Sequence, residues 1–442
     1  MKKQFMKSLR DTMPEPLKYA ASPLFRNMLI QNGEFCKYYK LLENRKSMSA
    51  EKIEEYQLNK LKEILIYSFN NVPYYHELFN KISFDPHKFS DFTQIEQIPF
   101  LTRELVTQNF NKLISTKKVK NGYYVGKTGG STGKALNFYL DYDSIYKENA
   151  FIYYYRKKLG YSFSDNLATF RVLGYGDKLW KYSPMYNEII FSTTRLSKST
   201  ISEYARKINE FKPKYLNGYP SAIWFLAKLL CEYKIDLKFK LKGIFLISEN
   251  IDNCQRGFIE KFFNTKTSTF YGHSERAVIA EEVKMNKYMF DPYYGYTEQI
   301  HFEGNEYSIV STGFLNSIMP FIRYKTDDIC TPKNRYYSIE GKRSSVIGLY
   351  GKNNEFLTST GFNLGMEMFT NFINYQFIQR ERGKADLFVI VNKEFQTGEL
   401  NVLQKNLDEQ TNGIIDIKIK IVDNLVLTER GKFQKYISNI NN

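Results

Sequence analysis

The sequence predicts an α/β fold, and three observations carry that prediction. Short apolar runs at 167–174, 188–194 and 242–248 are separated by helical patterns near 198–211, 220–233 and 252–263, the alternation that layered α/β structure produces. Upstream, residues 125–127 and 136–140 have strand character on either side of a glycine- and hydroxyl-rich run, which reads as a hairpin. Toward the C-terminus, 386–391 and 415–422 read as strands around a helix near 397–410, a small α+β domain of about a hundred residues. The run Gly341-Lys342-Arg343-Ser344-Ser345 marks the boundary. The expected organisation is therefore a large multilayer α/β domain over 1–340 and a small domain over 346–442.

At 442 residues the chain is too long for one simple core, and its 43% hydrophobic and 16% aromatic content supplies more than one. That composition excludes a disordered chain. The 63 basic and 47 acidic residues leave a formal charge of +16, which suits an anionic partner such as a nucleotide, a nucleic acid or an acidic membrane. The lysines are spread along the whole length, which suits a solvated surface equally well.

Cys36, Cys231, Cys254 and Cys330 stand far apart without CxxC spacing and read as reduced, mostly buried thiols of a cytoplasmic protein, with no zinc expected. His76, His87, His273 and His301 are equally scattered, and no HExxH occurs. The basic start, Met1-Lys2-Lys3, is not followed by the apolar segment of an export signal. No window approaches the roughly 18 apolar residues that span a bilayer. A basic N-terminal helix is compatible with peripheral contact at a membrane surface.

Residues 1 to about 70 read as helical, with Leu58, Leu61, Ile64 and Leu65 on one face after a start at Ser49-Ala50-Glu51-Lys52. Asn71-Val72-Pro73 breaks that helix. Pro99-Phe100-Leu101-Thr102-Arg103 turns into a short helix capped by Thr102. In the hairpin, Thr128-Gly129-Gly130-Ser131-Thr132-Gly133-Lys134 combines backbone freedom, hydroxyl donors and a cation, the equipment of a phosphate grip. An ordinary surface loop has the same composition, and the run alone does not choose. A Walker A loop is excluded, because Thr128 stands where glycine is needed and Ala135 where a metal-binding hydroxyl is needed.

Residues 143–160 form an aromatic-rich helix including Tyr153, Tyr154 and Tyr155, whose rings suit an acyl pocket or plain core. Residues 265–330 are mostly strand-like, most clearly at 307–312. Within them Tyr271-Gly272-His273-Ser274-Glu275 sets an aromatic ring and a carboxylate at a strand end, suited to stacking on a base and holding Mg²⁺. Pro320-Phe321-Ile322-Arg323-Tyr324-Lys325-Thr326-Asp327-Asp328 reads as an apolar strand ending on two acids, suited to a diol such as ribose. Gly431-Lys432-Phe433 presents a lysine on a turn.

Together these stretches, with Asn71-Val72-Pro73-Tyr74-Tyr75, Leu216-Asn217-Gly218-Tyr219-Pro220-Ser221 and Ser248-Glu249, give the chain a resemblance that runs from near residue 70 to near 436. It resembles the adenylate-forming superfamily, in particular the phenylacetate–coenzyme A ligase-like proteins and the CapK type found in capsular polysaccharide clusters. The resemblance implies a two-step reaction. A carboxylate attacks the α-phosphate of ATP to give acyl-AMP and pyrophosphate, and a thiol or other nucleophile then takes the acyl group.

By position, the resemblance implies that Thr128, Gly129, Gly130, Ser131, Thr132, Gly133 and Lys134 hold the phosphates. Tyr271 and Gly272 flank the adenine with Ser274, and Ser248 and Glu249 lie beside it. Glu275 binds Mg²⁺ and Asp328 takes the ribose hydroxyls. Tyr155, Gly218, Tyr219, Pro220 and His273 fall toward the acid. Arg343 lies in a hinge at 341–345, about which the small domain rotates as a mobile lid.

Lys432 bridges the attacking carboxylate and the phosphate. Two like charges 4 Å apart repel by roughly 4 kcal/mol at an effective dielectric of 20, so one placed ammonium matters greatly. The implied partners are ATP, Mg²⁺, a small carboxylic acid and an acceptor such as coenzyme A, a carrier protein or a sugar nucleotide, with no nucleic acid expected.

The chain departs from the family pattern in four places. Asp327 replaces the glycine before the ribose-binding acid, Lys342 interrupts a Gly-Arg pair, Ser345 stands where an acid is common, and Ala135 stands where proline is common. Two other readings are open to the sequence: a basic polyanion-binding protein, and a scaffold of the same fold without activity.

Overall fold

The structure, a computed structural model, describes residues 13–127, 136–171, 173, 178–251, 253–333, 336–340, 348–353, 356–358, 371–411, 413–427, 433–438 and 440. The phosphate-loop residues 128–134, the hinge residues with Arg343, and Lys432 lie outside the described residues. The α/β class predicted from sequence holds. The chain packs as two compact units, one formed by 1–19, 165–267 and 343–442, the other by 20–164 and 268–342.

In the second unit, the helix Ala50–Asn71 begins where Ser49 accepts a hydrogen bond from the Lys52 amide. It buries Leu61, Ile64 and Leu65, the face that its periodicity marked. Pro73 does break it, and also opens the next helix, Pro73–Lys81, because a first-turn position needs no N–H. Thr102 caps Arg103–Gln108 by accepting from the Leu105 amide at 3.3 Å. The hairpin forms as predicted: Tyr123–Lys127 pairs antiparallel with Asn137–Asp141, Val125 facing Tyr139. Leu136, Phe138 and Leu140 alternate into a core shared with the N-terminal helices and with Ile318, Phe321 and Ile322.

Seven antiparallel strands form this unit's sheet, in the order Gly295–Glu303, Glu306–Gly313, Tyr324–Lys333, Tyr336–Glu340, Lys287–Phe290, Ile279–Lys284 and Thr267–Gly272. Val278, Ile309 and Cys330 form a small core of their own, packed with Tyr271, Phe290, Tyr307 and Tyr337.

The first unit contains a mostly parallel sheet ordered Gly243–Leu246, Tyr215–Gly218, Leu167–Arg171, Glu188–Ser192 and Trp180–Ser183, with only the last strand antiparallel. Its four parallel strands are buried along nearly their whole length, whereas Trp180–Ser183 buries only Tyr182. Helices Ile201–Phe211, Pro220–Glu232 and Asn253–Phe263 connect and pack on them. Covering both faces removes the alternation of a one-sided sheet, which is why these strands read as short apolar runs.

Residues 372–438 of the same unit add a four-stranded sheet ordered Asp416–Ile421, Lys384–Val391, Phe372–Glu381 and Tyr436–Ser438. The helix Gly398–Thr411 crosses between its parallel pair and closes a core of Leu387, Val389, Leu403 and Leu407. One expectation fails here: of the four cysteines only Cys330 is buried. Cys36, Cys231 and Cys254 are exposed because each falls on the outward face of an amphipathic helix.

Candidate functional site

In the second unit, Tyr271 and Asp328 belong to strands four steps apart in the sheet. A flat sheet would hold strands four steps apart roughly 19 Å from each other. Tyr271 Oη nevertheless donates to Asp328 Oδ2 at 2.9 Å, so the sheet curls around the Val278, Ile309 and Cys330 core and brings these two strands together.

The sequence reading placed Asp327 and Asp328 at the end of an apolar strand, and the structure corrects this. The strand begins only at Tyr324 and continues through both acids to Lys333. The acids lie in a bulge: Val310 faces Lys325 and Ser308 faces Ile329, so Ile309 alone opposes three residues, Thr326, Asp327 and Asp328. Thr326 repairs the interrupted ladder. Its Oγ1 donates to the Ile309 carbonyl at 2.7 Å and accepts from the Asp328 amide at 3.2 Å. The extra residues are what turn Asp328 toward Tyr271 and His273.

His273 Nε2 lies 2.7 Å from Asp328 Oδ2 and 2.8 Å from Tyr271 Oη. Burial pushes the imidazole down, but the hydrogen bond and charge of Asp328, together with Glu275 and Asp327, outweigh it and hold the ring above its ordinary value. Tyr271 is pushed well above the phenol range by burial and then by Asp328, so it stays a donor. Glu275 is buried, and its Oε1 accepts from Tyr324 Oη at 3.4 Å. Among the described residues no group of three or more acidic, histidine or cysteine side chains is arranged to hold a metal ion. An all-protein metal cage is therefore absent there. A single buried carboxylate does fit a magnesium ion that arrives on phosphate oxygens and keeps its waters.

Arg276, directly after Glu275, meets Glu148 at 3.0 Å, Tyr124 Oη at 3.3 Å and the Ser144 hydroxyl. It lines a pocket of about 490 Å³, open to solvent, with Tyr124, Lys127, Phe138, Glu148 and Ser274. The root of the glycine-rich loop and the Tyr271–Glu275 segment thus share one cavity. Sequence reading assigns no role to Glu148 or Arg276: Arg276 has only its adjacency to Glu275 as a signal, and Glu148, in the helix Tyr142–Arg156, has none. Tyr155 is buried, donating to Asp291 at 2.7 Å, with Arg45 on the same oxygen at 2.8 Å. Arg323 is committed to Glu298 at 2.6 Å.

In the first unit, Gly218 ends a strand opposite Phe170, and a Cβ there would lie 2.9 Å from the Phe170 carbonyl oxygen. Tyr219 and Pro220 then start the helix Pro220–Glu232, whose N-cap Tyr219 offers no side-chain acceptor. Ser248, at φ 65°, turns the chain so that Glu249 faces that helix end. Glu249 Oε2 accepts from the Ser221 amide at 3.2 Å, and Oε1 from the Phe433 amide at 3.1 Å. Beside this contact runs a groove of about 500 Å³ lined by Thr193, Leu196, Ser221, Phe225, Asn374 and Phe433.

Of the predicted residues, the structure therefore gathers Tyr271, Gly272, His273, Ser274, Glu275 and Asp328 in one unit, and Gly218, Tyr219, Pro220, Ser248 and Glu249 in the other.

No family model matches the chain. Among solved structures, 2-hydroxyisobutyryl-CoA ligase in the postadenylation state, in complex with R3-HIB-AMP, superposes with a TM-score of 0.66 at 14% identity, covering 90% of this chain and 92% of that one. The same ligase in complex with 2-HIB-AMP and CoA, in the thioesterification state, gives 0.57 at 15% identity, over 90% and 91%. The chain thus has the fold of the adenylate-forming acyl-CoA ligases. In sequence it is similar to protein CapK of Staphylococcus aureus, with 25% identity over 454 residues that cover 96% of this chain and 99% of that protein.

Proposed function

We propose that this chain is an enzyme that activates a carboxylic acid with ATP. A carboxylate oxygen attacks the α-phosphorus, the bond from that phosphorus to the bridging oxygen breaks, and pyrophosphate leaves. A nucleophile then attacks the acyl carbon of the resulting acyl-adenylate, and AMP leaves.

The observation that carries the reading is the convergence of Tyr271, His273 and Glu275 with Asp328 across the curled sheet. Its setting is a fold shared with a ligase solved with an acyl-adenylate. In this reading Asp328 accepts the ribose hydroxyls, while Tyr271 and His273 hold its carboxylate in place. Glu275 holds magnesium, which supplies positive charge to the phosphates. Thr128, Gly129, Gly130, Ser131, Thr132, Gly133 and Lys134 grip the leaving pyrophosphate, and Lys432 enters between the two reacting anions. Residues 346–442 act as the moving lid about Arg343.

The acceptor is coenzyme A, a carrier protein or a sugar nucleotide. A role in surface polysaccharide biosynthesis, in the cytoplasm, rests on the CapK-type resemblance. Among the described residues no helix is long and apolar enough to cross a membrane.

The test is pyrophosphate release by purified protein with ATP and Mg²⁺ against a panel of carboxylic acids. Acid-dependent release is expected. Lys432→Ala should abolish it while leaving ATP binding largely intact, and undiminished release by that variant would sink the assignment.

A further inference from the structure

We infer that Glu249 is a positioning residue whose carboxylate latches the chain next to Lys432 onto the N-terminus of the helix Pro220–Glu232. The purpose of the latch rests on the adenylation reading, in which Lys432 bridges the reacting anions; its existence rests on geometry alone. Glu249 Oε1 accepts from the amide of Phe433, the residue after Lys432, and Oε2 accepts from the Ser221 amide. One carboxylate thus joins segments 28 and 184 positions away in sequence.

Three features favour this arrangement. The helix has no capping side chain of its own at Tyr219, so its first amides need an acceptor, and negative charge is favoured at that end. Ser248 adopts a left-handed backbone, which costs a non-glycine residue about 1 kcal/mol and is held here in the turn that aims Glu249. The stems on either side of 428–432 are also tied from the other direction. Leu427 bridges Phe433, and the buried Gln376 donates to the carbonyls of Val426 and Gln434 at 2.8 and 2.7 Å.

Gln376 lies on Phe372–Glu381 and belongs with the C-terminal sheet. Glu249 lies outside that sheet. Rotation of residues 346–442 as a lid would leave the Gln376 bonds intact and break the Glu249 bond. Glu249 therefore selects the arrangement in which Lys432 is delivered for the first half-reaction.

Hydrogen–deuterium exchange on the full-length protein, read at peptides containing Phe433, tests the contact without any ligand. Loss of a charge-assisted bond predicts exchange faster by about tenfold or more in Glu249→Ala, with Glu249→Gln between it and wild type. Exchange in Lys384–Val391 should not change in Glu249→Gln, which keeps the side chain's size if the alanine variant loosens the fold. With an acid and an acceptor that the wild type uses, Glu249→Ala should lose pyrophosphate release at least about tenfold more strongly than acyl transfer from a supplied acyl-adenylate. Unchanged exchange at Phe433, or equal loss of both half-reactions, overturns the proposal. If the wild type releases no pyrophosphate with any acid, the adenylation reading fails while the exchange result still decides whether the latch exists.

Discussion

The Tyr271–Asp328 cluster and the Glu249–Phe433 contact solve the same problem, bringing distant residues together, by opposite means. The first uses sheet curvature and a bulge, and its side chains brace one another: Tyr271 and His273 share one Asp328 oxygen, and Thr326 closes the ladder behind it. The second hangs on one carboxylate accepting two backbone amides. A braced cluster suits a site that stays assembled through a reaction, whereas a single carboxylate suits a contact that forms and releases. The difference lies in redundancy: several bonds must fail together in one case and only one side chain in the other.

The largest expected effect breaks the braced cluster. Asp328→Ala removes the acceptor that Tyr271 and His273 share. ATP affinity, measured by calorimetry, should fall about a hundredfold. His273, followed by NMR, should titrate lower, since burial would then be opposed only by the smaller contributions of Glu275 and Asp327. An unchanged His273 titration would mean that the bulge does not govern the cluster.

A smaller effect probes the parallel sheet beneath the latch. Gly218→Ala places a methyl 2.9 Å from the Phe170 carbonyl oxygen, a backbone atom held in register. Overpacking of this kind costs about 1–3 kcal/mol, readable in urea unfolding. A neutral substitution would show that the strand end gives way, leaving room at Gly218 for something other than packing.

The smallest effect concerns pH. Because the folded His273 lies above its ordinary value of 6.5, its contribution is fully present below that pH and is lost as pH rises through the raised value. The stability advantage of wild type over His273→Gln should therefore shrink as pH rises from 6.5 through that raised value. An advantage that grows over this range would reverse the sign assigned to the Asp328 interaction.

Much of this was legible in sequence because it is local. The Ser49 and Thr102 caps, the break at Pro73, the hairpin and the buried strand runs each follow from neighbours a few residues apart. The strand Phe372–Glu381 was not foreseen, although it is the interior strand on which Gln376 sits. Asn374, Gln376 and Gln379 are buried in it, polar side chains that a sequence pattern assigns to solvent. Nor were the exposed cysteines foreseen, since thiol chemistry predicts burial while helix phase decides it.

Motif and order identify the candidate residues: Tyr271, His273, Glu275, Asp328 and Glu249 all stand in stretches that the sequence alone marks. Sequence by itself determined which chemical groups are present and which short segments carry them, because capping, chain breaking and periodicity act over one or two turns. Only the tertiary structure decided what those groups touch. The bulge opposite Ile309 turns Asp328 toward Tyr271, and the backbone at Ser248 turns Glu249 toward Phe433. Both depend on sheet curvature and chain crossings that no local pattern encodes, and both convert residues far apart in the chain into hydrogen-bonded neighbours.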